Sequence, residues 1–183
     1  MRKLYFATTN NFKLKQAKEI FDGILEIEGV KLDLVEIQTL DQELISKHKA
    51  KQAFEILKQP VIVDDAGIFI EKYNQFPGVM THHVCEGLGI ENLSCLFNDN
   101  DKAQFRSVIT YIDNEKEITV CGSIDGVIIK RDTSQIDSRN PFSSLFKVPE
   151  VNKFMHDLDS DELKLYSHRG MALKQLKEKI INI

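Results

Sequence analysis

The chain holds few of the residues that staple or punctuate a fold. Among 183 residues there are three cysteines, four prolines and nine glycines. Cys85, Cys95 and Cys121 form an odd set without C-x-x-C spacing. That argues against a disulfide framework or a thiolate zinc site and fits a reducing, cytoplasmic setting. The histidines include no H-x-x-x-H pair, and the adjacent His82 and His83 would point to opposite faces of a strand. Histidine-based metal chemistry is therefore not expected. No apolar run approaches the roughly 20 residues that span a bilayer, and the opening MRKLYFATTNN turns polar too early for a secretory signal. A membrane partner is not expected. Cations are not in surplus either: 24 Lys and Arg stand against 28 Asp and Glu, a formal net charge of −4. A nucleic-acid coat needs the opposite balance, whereas a compact phosphate site needs only a few local cations.

What is present is an ordinary folding composition. Hydrophobic residues make up 42% of the chain, 11 of them Phe, and no repeat, low-complexity tract or Pro/Gly-rich linker divides it. A single domain over 1–183 is expected. Lys3–Thr8 reads as a buried strand, followed by a helix capped by Asn10 or Asn11 with Phe12, Ala17, Ile20 and Phe21 as its apolar positions. Leu25–Ile37 reads as one or two strands, Ser46–Lys58 as an amphipathic helix ended by Pro60, and Val61–Val63 as an apolar strand extended through Ile68–Ile70. Asn74–Gly78 reads as a loop and Ile90–Phe97 as helical. Phe105–Ile112 and Ile118–Ile129 form a hairpin around Asp113-Asn114, Arg131–Asn140 is a loop, and a helix closes the chain over Arg169–Ile180. Strands alternating with helices and then a hairpin predict a mixed α/β sheet.

Three motifs could carry chemistry. In VIVDDAG, two carboxylates end a buried apolar strand, an arrangement that raises a pKa unless a cation compensates. A divalent ion such as Mg²⁺ is the usual compensation, and Gly67 permits close approach by a ligand. The motif reads equally as a strand-ending pair in which one Asp caps a turn. ATTNNFK sets the hydroxyls of Thr8 and Thr9, the amide of Asn10 and the ammonium of Lys13 at a helix N-terminus, where an anion could be held. Without a glycine it is not a Walker A loop, and Thr-Asn before a helix also serves plain capping. Ser167-His168-Arg169-Gly170 opens the last helix with a hydroxyl, an imidazole and a guanidinium. Adjacent Ser and His lack the geometry of a hydrolase triad, so a purine edge or a phosphate suits the motif better.

ATTNNFK, PVIVDDAG, FPGV and SHRGMAL occur in this order along the chain. Together they resemble the inosine triphosphate pyrophosphatase family, nearly end to end from Met1 to about Leu176. The resemblance implies an elongated central sheet flanked by helices, two lobes with a cleft between them, and a homodimer. It implies Mg²⁺-dependent cleavage of inosine and xanthosine triphosphates, and their deoxy forms, to monophosphate and pyrophosphate. Thr8, Asn10, Lys13 and Lys49 would hold the triphosphate, with the backbone N–H of Ala66. Asp65 would bind metal and help activate water, with Asp64 in support. His168 and Arg169 would read the oxo groups of the base.

Three stretches depart from the family pattern. Arg139 and Asn140, before Pro141, stand where the family carries an aromatic residue and an Asp that sandwich and read the base. An arginine can stack on a purine and Asn offers both donor and acceptor, so a changed base preference is expected. A metal-supporting glutamate falls on Leu44, with Glu43 adjacent as its substitute, and a lysine expected before Ser167 falls on Leu163, with Lys164 adjacent. Two alternatives stay open: the same hydrolysis on another modified purine or a pyrimidine nucleotide, and a nucleotide-binding protein with little catalysis.

Overall fold

All eight strands of the described residues belong to one sheet. The computed structural model describes residues 2–181. The strands are β1 Arg2–Ala7, β2 Leu25–Val30, β3 Val61–Ile70, β4 Pro77–Gly78, β5 Asp101–Ile112, β6 Glu117–Ile128, β7 Phe146–Val148 and β8 Lys153–Phe154. The helices are α1 Asn11–Phe21, α2 Gln42–Leu57, α3 Thr81–Leu96, α4 Pro141–Leu145, α5 Ser160–Tyr166 and α6 His168–Ile181. The sheet order is β2-β1-β3-β5-β6-β7-β8, with β4 also on β3. β2, β1 and β3 are parallel and joined through helices, whereas β5 to β8 pair antiparallel. The expected mixed α/β sheet is borne out. No helix among the described residues is long and apolar enough to cross a membrane.

The interior is divided into three apolar clusters, and β3 touches all of them. Val61 and Val63 join Ala50 and Ala53 of α2. Ile62 faces the other way, onto Phe6, Phe21 and Leu173. Ile68 and Ile70 enter a third cluster with Phe105, Phe142 and Phe146. Each such buried side chain contributes about 1.5–3 kcal/mol, enough in sum to hold a polar stretch between them. That stretch is Asp64-Asp65-Ala66-Gly67, in the middle of one continuous ten-residue strand.

The sheet leaves the same stretch bare on one side. β1 pairs β3 only at Val61 and Ile62, and β4 pairs it only at Ile68 and Phe69, while β5 runs along the other edge throughout. Gly67 is required where β4 closes in, because a Cβ there would lie 2.2 Å from the Gly78 carbonyl oxygen. A second close approach seats α6: a Cβ on Gly122 would lie 2.1 Å from the His168 carbonyl oxygen.

Several expectations move. Only Leu25–Val30 of the expected extended stretch is strand, and residues 31–40 run without regular structure. α2 starts earlier, at Gln42, because the Asp41 side chain accepts from Leu44 N. Phe12 is 46% exposed, not part of the helix core face, where Gln16 is buried instead. α3 spans twice the expected length and is broken at Gly89, whose φ is 70°. β7, β8, α4 and α5 have no counterpart in the expected elements.

Candidate active site

Successive side chains of a strand point to opposite faces, so Asp64 and Asp65 enter different surroundings. The Asp64 carboxylate is fully enclosed. Its Oδ2 lies 3.1 Å from Lys13 Nζ and 2.7 Å from Arg169 Nε, and Ser107 Oγ donates to Oδ1. Burial acts to raise its pKa, but the attraction of Lys13 and Arg169 and the Ser107 hydrogen bond outweigh it. The carboxyl is held well below the usual range and stays anionic. Lys13 also donates to the Asp64 carbonyl at 3.0 Å, reaching into the gap between β1 and β4. Arg169 is completed by Gln16 Oε1 at 2.8 Å. Burial lowers the Lys13 pKa, with Asp64 opposing it.

Asp65 is the contrasting case. Burial pushes its carboxyl up to about 6, with Lys49 and Lys13 pulling downward and Asp64 and Glu36 pushing upward. Lys49 Nζ stands 4.0 Å from Asp65 Oδ1 and 2.6 Å from Glu36 Oε2, so one ammonium is shared by two carboxylates. Asp65 Oδ2 is buried without a hydrogen-bond partner. So is Gln42 Oε1, although Gln42 Nε2 donates to the Asp65 carbonyl at 3.2 Å. Bare buried oxygens are costly in a folded protein, and two of them here mark where a ligand atom or cation is wanted.

The opening of α6 is built for rigidity. Ser167 Oγ accepts from Gly170 N at 3.0 Å and donates to Leu163 O at 2.5 Å, so this hydroxyl caps the helix. His168 stacks on Phe105, ring centroids 4.8 Å apart and planes 12° from parallel. Burial first, then Arg169, lowers its pKa to about 3, which keeps the imidazole neutral; Nδ1 has no partner. Asn10 caps α1, its side chain accepting from Phe12 N at 2.9 Å and Lys13 N at 3.1 Å, while Thr8 Oγ1 accepts from Asn10 N at 3.1 Å. Thr9 is exposed, and Ala66 lies opposite Ser107 in the β3–β5 ladder.

The fold thus gathers Lys13, Lys49, Asp64, Asp65, His168 and Arg169 around the middle of β3. It leaves other expected residues elsewhere. Glu43 is on the exposed face of α2, paired with Lys47 at 2.5 Å; the acid that shares Lys49 with Asp65 is Glu36. Lys164 pairs with Asp161 at 2.8 Å on the surface, and Leu163 is buried. Arg139, with its side chain 87% exposed, is gripped by Asp137 through Nε at 3.0 Å and Nη2 at 2.9 Å, and Asn140 N donates to the Asp137 carbonyl. Four residues were not foreseen: Gln16, Glu36, Gln42 and Ser107. Gln16 and Ser107 had a signal, since each is a polar residue at a core position of its element. Glu36 and Gln42 had none, because only tertiary packing brings them to Asp65.

A sequence model described as the Ham1 family matches residues 4–179. The dITP/XTP pyrophosphatase of Hyperthermus butylicus is 30% identical over 178 residues, covering 96% of this chain and 93% of the relative. The inosine triphosphate pyrophosphatase of Phaeosphaeria nodorum is 29% identical over 183 residues, covering 96% and 92%. Among solved structures, a HAM1 protein from Coxiella burnetii shares the fold with a TM-score of 0.80 across 100% of both chains, at 23% identity. The end-to-end resemblance read from the four motifs is borne out, and this chain belongs to the Ham1 family.

Proposed function

We propose that this protein is a Mg²⁺-dependent nucleoside triphosphate pyrophosphatase acting on non-standard purine nucleotides of the ITP, dITP and XTP kind. The observation that carries the reading is the Asp65 carboxylate: buried, with one bare oxygen, sharing Lys49 with Glu36 in the unpaired edge of β3. The substrate class comes from the names borne by the relatives.

The residues present suit a hard divalent cation. Mg²⁺ takes one or two carboxylates and completes its shell with water and substrate phosphates. Asp65 and Glu36 would supply two carboxylates, and Gln42, whose Nε2 donates to the Asp65 carbonyl, carries a neutral oxygen without a partner. Lys49 sits between the acids, where positive charge is favoured. The bound ion would neutralise phosphate charge and that of departing pyrophosphate. Lys13 and Lys49 would bring two further cations to the triphosphate. Asp65 would accept the proton as water oxygen bonds to the α-phosphorus. The bond from that phosphorus to the bridging oxygen then breaks, and pyrophosphate leaves with the electron pair. Asp64, held anionic, orients Lys13 and Arg169. With Arg169 engaged by Asp64 and Gln16, His168, whose buried Nδ1 has no partner, would be the residue of this motif that meets the base.

Arg139 is held at the surface by Asp137, away from the side chains gathered at β3, so a changed base preference rests on the sequence departure at Arg139 and Asn140 alone. A homodimer in the cytoplasm accompanies this reading on family resemblance. The test is pyrophosphate release from ITP, dITP, XTP, GTP and ATP with and without chelator. Release from the hypoxanthine and xanthine nucleotides that stops on chelation is expected. Tight nucleotide binding by calorimetry with no metal-dependent turnover would instead make this a binding protein.

A further inference from the structure

Glu36 lies in the surface segment 31–41 between β2 and α2, yet its carboxylate must reach the same lysine as Asp65. An irregular exposed segment does not fix a side chain by itself, so something must hold its backbone. Leu32 and Leu34 seat it loosely on the cluster formed by Ala50, Ala53 and Val63. The next contact is specific. Gln52 of α2 accepts from Val35 N through Oε1 at 2.9 Å and donates to Val35 O through Nε2 at 2.8 Å. One side-chain amide thereby satisfies both backbone groups of one residue, as a neighbouring strand would. His48, one turn earlier, stands 2.9 Å from the same Nε2 through Nδ1, and its carbonyl oxygen accepts from that Nε2 at 3.4 Å. Lys49 lies three residues before Gln52, on the same side of the helix, and takes Glu36 at 2.6 Å.

We propose that Gln52 is a positioning residue for the metal site: it clamps Val35 to α2 so that Glu36 is presented to the cation beside Asp65. The proposal rests on the metal reading above. Supports of this kind typically change metal affinity about 10–100-fold when removed.

The test is Mn²⁺ binding to the nucleotide-free protein, followed by electron paramagnetic resonance of the free ion, in wild type, Gln52→Met, Glu36→Gln and Asp65→Asn. Gln52→Met keeps length and helix propensity but cannot bond Val35. The expected result is affinity weakened at least about tenfold in Gln52→Met, with turnover at saturating metal near the wild-type value. Hydrogen exchange on the wild type gives a second reading that no folding defect can obscure: the Val35 amide is expected to be protected. Unchanged Mn²⁺ affinity in Gln52→Met alongside a loss in Glu36→Gln overturns the clamp and leaves the metal reading standing. Unchanged affinity in Asp65→Asn overturns the metal reading itself. A Val35 amide that exchanges as fast as an unprotected one also overturns the clamp.

Discussion

Two adjacent aspartates separate into opposite roles because an extended strand turns them to opposite faces. Asp64 meets two cations and a hydroxyl, and its charge is fixed. Asp64→Asn strands Lys13 and Arg169 without a counter-ion, so a loss of about 3–5 kcal/mol is expected in urea unfolding at pH 7. Asp65 keeps a carboxyl raised to about 6 from an ordinary 3.8. Between those values the folded metal-free protein binds a proton that the unfolded chain does not, so its stability falls as pH rises through the window. Above pH 6 the buried charge remains as a penalty. Asp65→Asn removes it, so the metal-free variant at pH 7 is expected to be more stable by roughly 1–3 kcal/mol. Its pyrophosphate release is expected to fall at least about 100-fold. A variant less stable than wild type would contradict the raised pKa. The Asp pair was legible because acids ending an apolar run are conspicuous. Glu36 and Gln52 were not, since their roles depend on a surface segment folding back over α2, and Gln42 was not, since only the packing of α2 on β3 brings it to Asp65.

At the scale of elements, the site depends on how closely helices approach the sheet. The first turn of α6 lies directly on β6 at Gly122, where a Cβ would meet the Ala172 backbone nitrogen at 2.5 Å as well as the His168 carbonyl. Both contacts are with α6 backbone, which cannot yield locally, so the helix must lift. Gly122→Ala is expected to lose about 1–3 kcal/mol in thermal unfolding and to raise KM for ITP more than it lowers kcat, because His168 and Arg169 move with the helix. Wild-type kinetics would show that this seat does not set the base pocket. The β5–β6 hairpin was read correctly from its two long apolar strands; Asp113 Oδ1 accepts from Glu115 N at 2.9 Å and Lys116 N at 3.0 Å to close it. α3 exceeds the expected helix because Gly89 breaks it and only Leu93 of its residues is buried. α5 carries a capping box, Asp159 with Glu162, but at seven residues it has little periodicity to show.

Over the whole molecule, a net charge of −4 conceals a local reversal. Lys13, Lys49 and Arg169 come from α1, α2 and α6, far apart in sequence, and converge on the middle of β3. The convergence follows from the three apolar clusters, two anchoring the start of that strand on opposite faces and one its end, which leave the four residues between them outside the apolar core. No local window of sequence contains this arrangement, although the motif order foreshadowed it. The most direct test is hydrolysis of ITP with Mg²⁺ in ¹⁸O-labelled water, the products resolved by ³¹P nuclear magnetic resonance. The expected products are IMP carrying the label and unlabelled pyrophosphate in equal amounts, with turnover lost in Asp65→Asn. Label in pyrophosphate, or release of IDP and inorganic phosphate, would contradict attack at the α-phosphorus by water activated at Asp65.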